Sequence, residues 1–240
     1  MRVFSAVAAI VYAMLPPPSR GAQVKPTRPV LPREFVAVRK RRRIMDAMAE
    51  LSAEQGYEAT KIADIVRCAG VARKTLYDNF DGKEEVFLGA FDSAVTEVGT
   101  RIEESCVGVG DEWVDRIAAG LRDFLTYIAE NPAIARMCLI EAMSATPASA
   151  ARYDDAMQRF VDLLRANAPA DTGLPVTIEE TLVGGVAWIL NQKIRRGEAE
   201  QALDLMPELL DFVLSPYHGV AKLKPQPGGE SDSTVTDSNR

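Results

Sequence analysis

The chain has 240 residues, 47% of them hydrophobic, and carries 28 Lys+Arg against 34 Asp+Glu for a net charge of −6. That apolar content suits one large or two small domains with real cores, and the acidic balance taken whole speaks against a polyanionic partner. The average hides a division: residues 1–83 hold 15 Lys+Arg and 8 Asp+Glu, whereas residues 84–240 hold 13 and 26. A basic first third joined to an acidic remainder fits one segment that meets a polyanion and another with a different task.

Three cysteines, Cys68, Cys106 and Cys138, lie far apart and are odd in number, a pattern of neither a disulfide framework nor a zinc site, which points to a reduced, cytoplasmic setting. With His218 the single histidine, no Ser/His/Asp or Cys/His arrangement is available, so no catalytic residue and no metal ligand is assigned. Gly-rich phosphate loops are missing too, and no cofactor is implied.

In chain order, Val3 to Leu15 is an apolar run of signal-peptide length, too short to cross a bilayer as a helix. The three prolines behind it and the poor cleavage pattern argue against export, so no membrane association is expected. Residues 1–33, rich in Pro and basic residues towards Arg33, read as a flexible basic arm, with a true start near Leu31 as the alternative.

From Glu34 to Gln55, Phe35, Val38, Ile44, Ala47, Met48 and Leu51 form an amphipathic stripe, with the basic run Lys40 to Arg43 on the other faces. Gly56 is the expected C-cap and Thr60 the expected N-cap of the next helix. Ile62, Ile65, Val66 and Ala69 mark that short helix, closed by Gly70 with Val71 as an apolar plug. A third short helix is expected from about Ala72 to Asn79, with Leu76 and Phe80 inward and Arg73, Lys74, Thr75 and Asp78 outward; Tyr77, one step from Leu76, belongs at the rim.

Longer amphipathic helices follow at Glu84 to about Glu104, Asp111 to Glu130, Ala133 to Met143, Pro147 to about Leu164, Thr177 to Arg196 and Glu200 to Leu214. No strand pattern appears, so the fold class is all-α with about nine helices. The tail after Gly219 is polar, and residues 219–240 read as disordered.

Two short helices joined by a glycine turn, the second with an outward polar face, make a helix-turn-helix unit. Arg73 and Lys74 sit at the helix N-terminus where base edges are reached, and an arginine donates two hydrogen bonds to guanine. Thr75, Tyr77 and Lys83 offer donors to phosphates. A solvated hairpin in a small α-helical enzyme or scaffold is the alternative reading.

The stretch "ATKIADIVRCAGVARKTLYDNFDGKEEVFLGAF", within about residues 37–97, resembles the DNA-binding region of the TetR family of transcriptional regulators. Gly70, Val71, Ala72, Thr75, Leu76, Tyr77, Asn79, Phe80, Lys83 and Glu84 fill the family's pattern. The resemblance implies a recognition helix over Arg73 to Asn79 in the major groove, with Thr60, Tyr77 and Lys83 at phosphates and Lys61 among the DNA contacts. Two departures stand out. Ala72 replaces a common serine, removing a hydroxyl at the start of the recognition helix, and Cys68 replaces a usual alanine and reads as a packed structural residue.

The resemblance also implies a division into a DNA-binding domain over residues 34–83, extending into the helix to about 97, and an effector-binding and dimerisation domain over residues 84–218. The expected partners are a palindromic double-stranded operator, a small apolar effector and a second copy of the chain; ligand release of a repressor is the implied mechanism. Candidate effector contacts are Trp113, Phe124, Tyr127, Met137 and Trp188, equally good as core residues. Gly184, Gly185 and Ala187 suggest close packing between subunits.

Overall fold

The structure, a computed structural model, describes residues 33–107, 109–110, 112–169, 172–175 and 177–223, with side chains from Ala37 to Tyr217. The apolar run at Val3 to Leu15, the arm up to residue 32 and the tail from residue 224 lie outside it. Every regular element among the described residues is helical. From Ala37 onward they form one compact unit.

Helix α1 (Arg33–Gln55) ends where Gly56 takes φ +84°, and its N–H donates to the Ser52 carbonyl at 3.0 Å. The expected Thr60 cap is not used. Thr60 turns inward, its hydroxyl donating to the Gly56 carbonyl at 2.8 Å, and α2 (Ile62–Ala69) starts after Lys61, whose N–H donates to the Asp64 carboxylate at 3.4 Å. Gly70, at φ +59°, caps α2 in the left-handed region that a side chain resists. Helix α3 (Arg73–Tyr77) is shorter than expected, beginning after an extended Ala72 that contributes no capping bond.

Helices α4 (Lys83–Val107) and α5 (Trp113–Glu130) pack side by side, pinned by Arg101, which donates to Asp123 at 3.1 Å and Glu130 at 3.0 Å. The expected helix at 133–143 is broken into α6 (Pro132–Arg136), a π-helical turn (Met137–Glu141) and α7 (Ala142–Ala145). The wider turn turns the Leu139 carbonyl toward α9, where Asn191 Nδ2 donates to it at 2.7 Å; such turns mark functional sites in many helices.

Helix α8 (Pro147–Asn167) opens on a reciprocal cap: Ser149 N–H donates to the Thr146 hydroxyl at 3.1 Å and Thr146 N–H to the Ser149 hydroxyl at 2.9 Å. Helix α9 (Thr177–Arg195) leads through a 3₁₀ segment (Ala199–Leu205) to α10 (Met206–Leu223). This last helix runs past the expected end at Leu214 and into the expected tail because Pro216 lies inside it. A proline cannot donate to the carbonyl four residues back, and Ser215 Oγ donates to that Phe212 carbonyl instead, at 3.1 Å.

Two apolar clusters organise the unit. One joins Ile44, Met48, Tyr57, Ile65, Leu76, Phe80 and Phe87 to Met137, Ala142 and Ala145, so the short helices share their core with the π turn and α7. The other joins α5, α9, the 3₁₀ segment and α10 through Leu125, Ile128, Leu190, Ile194 and Leu209. Hydrophobic burial of this kind, about 25 cal/mol per Å² of apolar surface, is the main drive to fold.

Candidate nucleic-acid interface and internal cavity

The short helix α3 is held from below and leaves its outer face uncommitted. Leu76 and Phe80 are buried as the i, i+4 pair required. Arg41 donates to the Asn79 carbonyl at 2.6 Å and lies 4.0 Å from the centre of the Phe80 ring, while Arg43 donates to the Gly70 carbonyl at 3.3 Å. Cations at the carbonyl ends of two short helices satisfy acceptors the helices leave open. Part of the basic run on α1 therefore fixes the helix-turn-helix rather than facing outward as expected. Arg42 bonds Asp46 at 3.0 Å and Glu97 at 3.3 Å, an exposed pair of bridges worth roughly 0–1 kcal/mol each.

Lys61, Arg73, Lys74 and Tyr77 are exposed, and Thr75 is half-buried on the same helix. Arg73 lies 5.7 Å from the Tyr77 ring centre, one turn on, so guanidinium and phenol share a face. Among the described residues, Lys61, Arg73 and Lys74 bridge no carboxylate, unlike Arg67, which bonds Asp64 at 2.7 Å.

The other expected DNA contacts are placed differently. Thr60 is 1% exposed, so its hydroxyl, already bonded to Gly56, presents nothing to a phosphate. Asn79 Nδ2 donates to the Thr75 carbonyl at 2.7 Å. Lys83 donates to the Tyr57 carbonyl at 3.1 Å with its ammonium 3.9 Å from the Tyr57 ring centre, engaging one of its three N–H donors. Cys68, expected to be packed, is exposed and donates to Glu50 at 3.3 Å; partial burial and that carboxylate raise its thiol pKa, against a reactive thiolate.

A cavity of about 180 Å³ runs between α4, α5, α8 and α9. Its wall is apolar: Val95, Val98, Ile102, Leu121, Phe124, Met157, Phe160, Leu182 and Val186 among others, with Cys106, Arg116, Tyr127, Cys138 and Asn167 the groups bearing polar atoms. Burial pushes the Cys138 thiol up to about 12. Of the five expected effector contacts, Phe124 and Tyr127 line this cavity.

The remaining three do not. Trp113 packs edge-on to Tyr217 with ring centres 5.3 Å apart, at the ends of α5 and α10. Met137 is fully buried in the core under the short helices. Trp188 is 66% exposed on the outer side of α9. Periodicity puts all five on helices, but it does not tell which neighbour a helix face meets. Gly185 also has an internal reason for its size, since a Cβ there would sit 2.8 Å from Phe212 Cζ; Ala187 lines the cavity, and Gly184 faces open space.

Residues 44–90, from the middle of α1 through both short helices into α4, match the family described as bacterial regulatory proteins, tetR family. The chain belongs to the TetR family of transcriptional regulators. The fatty acid metabolism regulator protein of Bacillus subtilis is 36% identical over 61 residues, 25% of this chain and 31% of that protein. The transcriptional repressor KstR of Mycobacterium tuberculosis is 26% identical over 180 residues, 71% of this chain and 80% of that protein. Of solved structures, FadR from Bacillus halodurans shares the fold with TM-score 0.66 at 16% identity, covering 72% of this chain and 97% of that one. FadR from Bacillus subtilis, in complex with stearoyl-CoA, gives 0.64 at 18% identity, covering 73% and 98%. These relatives are regulators, not enzymes. No helix among the described residues is long and apolar enough to cross a membrane.

Sequence reasoning missed the residue that joins the two halves of this TetR-family chain. Tyr57 is buried edge-on against Phe87 at 5.0 Å, accepts from Lys83 through its carbonyl, and donates through its N–H to Glu141 Oε2 at 3.1 Å. Glu141 is the last residue of the π turn, two positions beyond the cavity-lining Leu139. The one available signal was an aromatic directly after a glycine cap; nothing in the sequence pairs residue 57 with residue 141.

Proposed function

We propose that the protein is a cytoplasmic homodimeric repressor that leaves a palindromic operator when an apolar, acyl-type effector enters the cavity between α4, α5, α8 and α9. The observation that carries this reading is the pairing of a basic, uncommitted face on α3 with an apolar cavity one helix away. Residues 34–83, running on to about residue 97, act as the DNA reader; residues 84–218 hold effector and partner subunit. Arg73 and Lys74 address base edges, and Lys61, Thr75, Tyr77 and the remaining donors of Lys83 address phosphates.

One short helix reads few base pairs, so two copies must present theirs about 34–36 Å apart on a palindrome. The outer face of α9, where Gly184 opens to space one turn before the exposed Trp188, supports a seat for the second copy. An acyl-type effector fits a wall of aliphatic and phenyl groups, and a fold relative was solved with stearoyl-CoA.

The link between cavity and reading face runs through the π turn. Leu139 and Cys138 line the cavity, and Glu141 holds the turn from α1 into α2 by the Tyr57 N–H. An effector that favours another seat for the π turn biases that turn, with couplings of typically about 1–3 kcal/mol.

The test is selection of bound sequences from a random DNA pool, then release by a series of fatty acyl-CoAs. Enrichment of a palindrome, released by one chain-length class, is expected. No enriched sequence, or an enriched one that no acyl chain releases, overturns respectively the reader or the effector class.

A further inference from the structure

We propose that Tyr127 is the polar anchor of the cavity and that the effector carries a neutral carbonyl, as in an ester, thioester or ketone, whose oxygen accepts from its hydroxyl. The inference deepens the effector reading above and rests on it. Tyr127 is 3% exposed, and its hydroxyl is shielded from solvent and has no hydrogen-bond partner. Buried polar atoms are nearly always bonded, and those left open in a native structure call for a reason. Here the reason is at hand, because the residue forms part of the cavity wall.

The phenol is fixed in place before any ligand arrives. Arg101 lies 5.4 Å from its ring centre and is itself held by Asp123 and Glu130. The Tyr127 carbonyl accepts from both the backbone N–H and Nδ2 of Asn131, at 3.0 and 2.9 Å. Tyr127 also borders a second void of about 10 Å³, shared with Arg42, Ser93 and Glu97. That is at the lower limit for a single water, so water is the competing partner for the hydroxyl.

Charge favours a neutral ligand. Burial, then the charge of Glu97, pushes ionisation of the phenol well above its usual range, so it remains a donor at any physiological pH. An apolar wall and a neutral donor give poor compensation for a desolvated carboxylate. A carbonyl needs one donor and brings no charge. An anionic head group would instead be drawn to Arg116, the single charged side chain on the wall among the described residues.

The experiment measures binding of methyl octanoate, octanoate and pentylbenzene to wild type and Tyr127→Phe by calorimetry, together with thermal unfolding of both unliganded proteins. Loss of the hydroxyl is expected to weaken methyl octanoate by about tenfold and to leave pentylbenzene unchanged. The unliganded variant should melt no lower than wild type, because the lost hydroxyl had no partner. Equal loss on both probes, or no loss on the ester, overturns the anchor. A lower melting temperature with the ester preference intact assigns the hydroxyl to a buried water and also overturns it. Tighter binding of octanoate than of methyl octanoate overturns the neutral-carbonyl assignment. Failure of all three probes to bind wild type strikes the effector cavity itself, a different result from loss of the anchor.

Discussion

The face of α3 and the wall of the cavity are built on opposite terms. On α3 the charged side chains are long, exposed and without carboxylate partners, while their neighbours on α1 are locked into helix ends and bridges. In the cavity, polar atoms are few and one of them is left unbonded out of water. A surface that must bind a polyanion keeps its charge available and is indifferent to stability; a cavity that must bind an apolar ligand is made from core material with little surplus packing. Substitutions in the two places should therefore act on different observables.

The largest effect is expected beneath the reading face. Leu76 is fully buried between the short helices, and Leu76→Ala should cost about 2–5 kcal/mol in urea unfolding, with DNA binding lost alongside. A loss below 1 kcal/mol would mean that the short helices fold independently of their shared core.

Next comes the join. Glu141→Ala removes the acceptor of the Tyr57 N–H, and it should reduce the effector's influence on DNA affinity by about 1–3 kcal/mol while effector affinity measured without DNA changes far less. Fluorescence titrations of operator with and without effector give that coupling directly. Undiminished coupling would send the signal by another route.

The smallest effects are expected on the face itself. Arg73→Ala should leave the unfolding midpoint alone and relax base preference, at about 1–3 kcal/mol for the affected base pair. Lys83→Met should weaken all sequences alike and flatten the salt dependence by about one unit. Should Lys83→Met instead lower the melting temperature at an unchanged salt slope, the lysine serves only its bond to Tyr57.

Much of this molecule is legible in one dimension. The stripe on α1, the caps at Gly56 and Gly70 and the pair Leu76 and Phe80 are local patterns, with partners one or two turns away, and the face they leave outward follows from helical geometry. Where local rules compete, the reading slips: Pro216 signals a helix end, yet a serine hydroxyl one residue earlier satisfies the freed carbonyl and the helix continues. Trp113, Phe124, Tyr127, Met137 and Trp188 are indistinguishable by period and hydrophobicity. Yet one packs on Tyr217, two line the cavity, one fills the core under the short helices and one faces out.

Sequence alone was sufficient for the all-α class, the helix-turn-helix and the charge division between its halves, since these depend on period, caps and composition. Tertiary packing decided which arginines serve structure, that Thr60 turns inward, that a π turn interrupts the helix after Arg136, and that the Tyr127 hydroxyl is left without a partner. The physical reason is range. A cap or an amphipathic stripe is set by neighbours in the chain, whereas a cavity wall and the bond from Tyr57 to Glu141 exist only once distant helices have met.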